Sequence, residues 1–394
     1  MGGRKSRAAF MGDDDERNPF EDEISENSEV DAGNPDQEEG GGIKPPPDHP
    51  IATEVLHADA EGVPRWLKRI YDPAPAASEL GGEDFGDRYD DDKLRKRNKA
   101  LKAMAYDPMQ GWRPMIVATD AMIADLEALA DAASNFQALF EVVISAARAS
   151  LLAAMPLRLP PLLLVGPPGA GKSRAAYAMA SALQTSVEKV PVTIQTGAGV
   201  LSGLDWTWRT PSMGVVARAL LTAQTASPIL VLDEVDKSCP RSEFGQLLDP
   251  LHDLLESDTA RHFVDEYLKL PIAADGVQWI ATANDVATIP APIIDRMLLL
   301  EVVQPTPSEM GVILRAMIQA AITRWGDWFP AEIDVDPGTL AALRSIHPRA
   351  ARRVIDLAVG FAVAAGRRVL LADDVERARM ITISPKMTRK IGFL

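Results

Sequence analysis

Residues 162–183 read LLLVGPPGAGKSRAAYAMASAL. Leu162 to Val165 has the length and composition of a buried strand. Gly166 to Ser173 matches G-x-x-x-x-G-K-[ST], and Ala175 to Leu183 is a run of helix formers. Strand, glycine loop and helix in that order are the context in which the motif carries weight. Gly166, Gly169 and Gly171 let backbone N–H groups turn inward and form an anion nest at a helix N-terminus. Pro167, Pro168 and Ala170 complete the cradle. Lys172 supplies a compact charge for β- and γ-phosphates, and Ser173 a hydroxyl for Mg²⁺. The implied ligand is a nucleoside triphosphate with its metal.

Outward from this stretch, short apolar runs alternate with helical patterns from Leu151 to Val303. Candidate strands are Leu162–Val165, Val190–Ile194, Ile229–Leu232, Trp279–Thr282 and Leu298–Val303. Such alternation predicts an α/β fold with a parallel sheet covered on both faces. The third strand runs into paired carboxylates in ILVLDEVDK, residues 229–237. Asp233 suits a metal shell, and Glu234 suits polarising the water that attacks a γ-phosphate. In WIATANDVATIPAPIIDRM, residues 279–297, Asn284 ends a buried strand, where its amide can orient that water. Arg296 is a forked, permanent charge fitted to a developing phosphoryl charge.

The first 48 residues carry 14 acidic and 5 basic side chains and almost no apolar clusters. A segment of that composition is expected to be a disordered acidic tail. Residues 49–150 read as a helical and irregular region, residues 151–303 as the α/β core, and residues 304–394 as a helical lid with a short tail. Thr306-Pro307-Ser308-Glu309 is a capping box that opens the lid. Net charge is −15, which argues against autonomous nonspecific nucleic-acid binding. The basic cluster from Lys93 to Lys102 is the one local feature that points the other way. Cys239 is the single cysteine, so a disulfide framework is excluded and a reducing cytoplasm fits. The apolar run from Leu151 to Val165 is broken by Pro156, Arg158, Pro160 and Pro161, and no membrane span is expected there.

GPPGAGKS, LDEVDK and above all IATAN followed by IPAPIIDRM give the chain a resemblance to AAA+ ATPases, and among them to the ATPase module of the Lon family. The resemblance runs from about Phe136 to Gly392. It implies a P-loop NTPase fold with a five-stranded parallel sheet in the order 5-1-4-3-2, a C-terminal helical lid, and a ring, usually hexameric, with ATP between subunits. It assigns Asn284 to sensor 1 and Arg296 to the arginine finger, which acts on the neighbouring subunit's ATP. HPRAARRVID, residues 347–356, resembles the sensor-2 helix, with Arg349 at the sensor and Arg352 as the competing choice. SGLDWTWRTPSMG, residues 202–214, resembles the substrate-gripping pore loop, with Trp208 at the aromatic position and Trp206 as its alternative.

Lon proteases follow the lid with a serine–lysine peptidase domain. Here ITISPKMTRKIGFL follows, in which Ser384 and Lys386 lack a scaffold, so no peptidase activity is expected. The resulting expectation is a Mg²⁺-dependent ATPase ring that remodels or unfolds a protein substrate. A nucleotide-dependent switch or loader acting on nucleic acid is the rival reading, and a non-hydrolysing scaffold a third.

Overall fold

In a computed structural model the protein is described over residues 54–58, 64–81, 92–194, 197–205, 208–238, 247–330, 335, 337–344, 346 and 348–382. The expected acidic tail, Cys239, Trp206, Ser384 and Lys386 lie outside the described residues.

Strands β1 (Glu54–Ala58), β2 (Pro64–Arg69) and β3 (Trp112–Pro114) form an antiparallel sheet in sequence order. Helices Pro73–Gly81 and Asp92–Ala105 lie between β2 and β3, and helices Asp120–Ala132 and Gln137–Ala153 follow. The sequence reading expected helices and irregular chain here and missed the three strands. VPRWLKRI and WRP mix Arg, Lys and Pro with apolar residues, so neither periodicity nor composition announces them. Lys68 on β2 and Trp112 on β3 are nonetheless buried.

The main sheet contains β4 (Leu162–Val165), β5 (Val187–Pro191), β6 (Ile229–Asp233), β9 (Gln278–Ala283) and β10 (Leu298–Glu301). A short hairpin, β7 (Val264–Asp265) with β8 (Leu270–Pro271), precedes β9. All pairings in the main sheet are parallel, and the strand order is β10-β4-β9-β6-β5. Counted along the core, that is the expected 5-1-4-3-2. The three central strands are buried on both faces, which is why they read as continuous apolar runs. β5 is an edge strand that starts earlier than expected and ends at Pro191, and Val192–Ile194 forms a 3-10 turn instead. Pro191 has no N–H to extend the ladder.

Alternate residues fill two layers. Leu163, Leu230, Leu232, Trp279 and Ala281 face one core, shared with Ile70, Leu101 and Met104 from the N-terminal region. Leu162, Leu164, Ile229, Val231 and Ile280 face the other, shared with Ile123, Leu126, Phe140 and Val143. The N-terminal region therefore contributes to both faces of the sheet. The stretch Ser134–Ala153 is long and apolar enough to span a bilayer by length and composition. Its stripe of Leu139, Phe140, Val143 and Ala147 is spent on the second core.

Two buried polar links tie this region to the core. Lys68 Nζ lies 2.9 Å from Asp275 Oδ2, with both side chains fully buried. Arg97 donates to the carbonyls of Tyr267 and Leu268, each at 3.0 Å. Arg97 belongs to the basic cluster, so part of that cluster is structural.

The lid comprises helices Pro307–Thr323, Pro337–Arg344, Pro348–Ala364 and Ala372–Thr382. They close a third core around Leu314, Ile318, Leu343, Val354 and Val375. The capping box at Thr306 and Glu309 is present as expected.

Candidate nucleotide site

The loop from Gly166 to Gly171 connects β4 to helix Lys172–Ala182 at the carboxyl end of the sheet, where open α/β folds bind ligands. Gly169 (φ 82) and Gly171 (φ 95) have left-handed backbones that L side chains rarely adopt. Gly171 is the N-cap and no side chain caps the helix, so its first N–H groups face the loop. Gly166 serves a different need from the one expected. A Cβ there would lie 2.0 Å from the Val302 carbonyl oxygen, so it is demanded by the close passage of β10.

Lys172 is buried. Its Nζ donates to the carbonyls of Gly166 (2.6 Å) and Pro167 (3.0 Å) and to Asn284 Oδ1 (3.1 Å). Two residues 112 positions apart are thus joined at one loop. Ser173 Oγ donates to Asp233 Oδ1 at 2.5 Å, and Thr282 Oγ1 donates to the same oxygen at 2.8 Å. Lys189 Nζ lies 2.6 Å from Asp233 Oδ2. Burial pushes the Asp233 carboxyl up, but the bonds from Lys189, Ser173 and Thr282 outweigh it and hold the group below the usual carboxylate range.

Glu234 has a left-handed backbone (φ 60, ψ 51), which strains a non-glycine residue. Its N–H donates to Thr282 Oγ1 at 3.0 Å, and its carboxylate meets Lys237 at 2.8 Å. Thr282 therefore links Asp233 and Glu234. Sequence reasoning passed over it, although a hydroxyl inside the buried strand IATAN was the available signal: buried hydroxyls need partners.

The donor set around Asp233 fits Mg²⁺. A hydroxyl and an ionised carboxylate, both hard oxygens, meet at the mouth of an anion-binding loop. Asn135, missed from sequence, backs that loop: its Nδ2 donates to the Ala170 carbonyl at 3.3 Å.

Arg296 stands outside this network. Its Nη1 donates to the Pro292 carbonyl at 2.8 Å, and its Nε lies 3.0 Å from Glu256. It is about one-third exposed. Arg349 lies in the first turn of helix Pro348–Ala364, and its side chain is outside the described set. Arg352, its competitor, is exposed. Trp208 lies on a loop closed by an antiparallel bridge between Leu204 and Ser212, and it is 49% exposed. The loop's root is pinned to the β7–β8 hairpin. Gly214 N–H donates to buried Asp265 at 2.8 Å, and Lys269 meets Asp205 at 2.8 Å. Burial raises the Asp265 carboxyl to about 6, against the N–H bonds of Leu268, Gly214 and Tyr267.

Residues 162–304 match the family described as "ATPase family associated with various cellular activities (AAA)". The mitochondrial Lon protease homolog of Schizosaccharomyces pombe is 34% identical over 140 residues, 36% of this chain and 13% of that protein. The Lon protease of Campylobacter jejuni is 31% identical over 188 residues, 48% of this chain and 24% of that protein. The chain thus spans only 13% to 24% of the length of these two relatives. Among solved structures, a Holliday junction branch migration motor from Thermotoga maritima aligns with a TM-score of 0.41 and 15% identity. That alignment covers 62% of this chain and 68% of the other, a likeness too loose to bear on function.

Proposed function

We propose that the chain, whose residues 162–304 match the AAA ATPase family and which is similar to Lon proteases, binds and hydrolyses ATP and uses the cycle to remodel a protein substrate within a ring. The observation that carries the reading is the convergence of Lys172, Ser173, Asp233 and Asn284 at one loop. Four residues from three segments meet there, each of a type that phosphoryl transfer uses.

The loop N–H groups and Lys172 hold the polyphosphate, and Lys172 leaves its present carbonyl partners to do so. Ser173 and Asp233 would hold Mg²⁺, which when bound would neutralise charge on the nucleotide phosphates. Glu234 accepts the proton of the attacking water once it releases Lys237. Asn284 orients that water. Arg296 acts on a neighbouring subunit's nucleotide, an assignment supported by its partly exposed position outside the Lys172–Asp233 network. Arg349 senses nucleotide from the lid. Trp208 grips an extended polypeptide without reading its sequence, which its half-exposed position on a pinned loop supports. The work assigned is remodelling of a protein substrate without peptide cleavage. We place the activity in the cytoplasm. Domain limits near residues 48, 150 and 303 accompany this proposal as functional divisions.

The test is ATPase rate against protein concentration for wild type and Glu234→Gln, with particle size measured alongside and with casein or DNA added. The expected result is a rate per subunit that rises with assembly and with casein, and is lost in Glu234→Gln. Stimulation by DNA alone would transfer the reading to a nucleic-acid switch. Absence of hydrolysis in every assembled state would refute the proposal.

A further inference from the structure

Lys189 was singled out by no motif, yet it makes the closest ion pair at the proposed metal carboxylate. It sits on edge strand β5 opposite Val231 of β6, two residues before the end of its strand. From there its Nζ reaches Asp233 Oδ2 at 2.6 Å. Asp233 Oδ1 is already engaged by Ser173 and Thr282. Both oxygens of the carboxylate are therefore occupied, one by hydroxyls and one by a cation. Exposed Tyr177 feels the charges of Lys189, Asp233 and Glu188, and Glu188 itself is paired with Arg218.

We propose that Lys189 is a positioning residue that occupies Asp233 in the metal-free state and sets how strongly nucleotide binding depends on Mg²⁺. The inference rests on the ATP-binding reading above. Ser173 and Thr282 fix the carboxylate's orientation through Oδ1, so orientation survives without Lys189. What Lys189 adds is a positive charge within reach of any divalent cation that Asp233 attracts, and like charges at that range oppose one another. Entry of the metal must therefore displace the ammonium from Oδ2 or tolerate its repulsion. The pair is partly open to solvent, with Lys189 36% exposed, so screening keeps the effect moderate.

The experiment measures the affinity of full-length protein for a fluorescent ADP analogue, once in EDTA and once in saturating Mg²⁺. Wild type, Lys189→Met and Lys189→Arg are compared. The Mg²⁺-dependent gain in affinity should be about two- to fivefold larger in Lys189→Met, the range expected of a partly screened ion pair. Lys189→Arg keeps the charge and should match wild type. The difference should shrink in high salt. An unchanged or smaller gain in Lys189→Met overturns the inference, including the case in which affinity falls equally in both conditions because Lys189 touches phosphate instead. Wild type that binds no nucleotide at all sinks the ATP-binding reading and this inference with it. Normal nucleotide binding with an unmoved Mg²⁺ gain sinks the inference alone.

Discussion

Gly166→Ala separates a packing requirement from a ligand requirement within a single motif. The new Cβ would lie 2.0 Å from the Val302 carbonyl oxygen and 3.1 Å from Val302 Cβ. Relieving the first contact requires the ends of β4 and β10 to part by about 1 Å, because the interior is close-packed. Two backbone hydrogen bonds span that gap and its neighbour: Val302 N–H to Val165 at 2.7 Å and Gly166 N–H to Ala283 at 3.2 Å. Weakening both costs about 1 kcal/mol each, and the overpacking adds about 1–3 kcal/mol. The expected loss is about 3–5 kcal/mol, a large share of an ordinary domain's stability. Gly171→Ala is the control. Its φ of 95 is strained for alanine, but its Cβ would meet only the Phe136 ring at 3.7 Å. That substitution should cost about 1–2 kcal/mol and act mainly on nucleotide binding. Urea unfolding followed by far-ultraviolet circular dichroism measures both. If Gly166→Ala stays within about 1 kcal/mol of wild type, or costs no more than Gly171→Ala, the packing account of Gly166 is wrong.

Three further outcomes are expected. Lys68→Met strands the fully buried Asp275 carboxylate, leaving it the partly exposed Arg261 at 3.3 Å. Unfolding should become easier by about 3–5 kcal/mol, and a loss under about 1 kcal/mol in chemical denaturation would contradict the buried-pair account. Asp265 is raised by burial to about 6 in the fold. The stability tied to its proton is fully present below the unfolded value near 4 and is lost as pH rises through about 6, a swing of at most about 3 kcal/mol. Unfolding free energies from pH 4 to 7 should carry that slope in wild type and lose it in Asp265→Asn; parallel slopes would remove Asp265 as the source. Finally, Glu234→Gly relaxes a left-handed backbone and should stabilise the fold by about 1 kcal/mol while abolishing hydrolysis. A destabilised Glu234→Gly protein would show that the strain has been misjudged.

Legibility from sequence tracks burial. β4, β6 and β9 are buried on both faces, and their apolar runs gave their positions to within a residue or two. β5 lies at an edge, so Glu188 and Lys189 interrupt its pattern and it was read three residues late. The N-terminal sheet was invisible because β2 hides a lysine whose partner, Asp275, is 207 residues away. The candidate site divides in the same way. Lys172, Ser173, Asp233 and Asn284 were legible because their residue types and spacing belong to a motif. Thr282, Lys189 and Asp265 were not, since their roles arise only when β5, β6 and β9 and the β7–β8 hairpin are side by side, and Asn135 was not, because it meets Ala170 only when the turn Ser134–Phe136 packs on the loop. Trp208 was singled out through resemblance, and Asp265, which holds the root of its loop, through geometry.

The interleaved cores have a practical corollary. The match to the AAA family starts at residue 162, and a cut there follows that boundary. Such a cut would strip Ile70, Leu101 and Met104 from one side of the sheet and Leu126, Phe140 and Val143 from the other. The segment that matches the family and the stretch that builds both cores are therefore different lengths of chain. The N-terminal region serves as wall on both sides of the sheet, beneath the loop that carries Lys172 and Ser173.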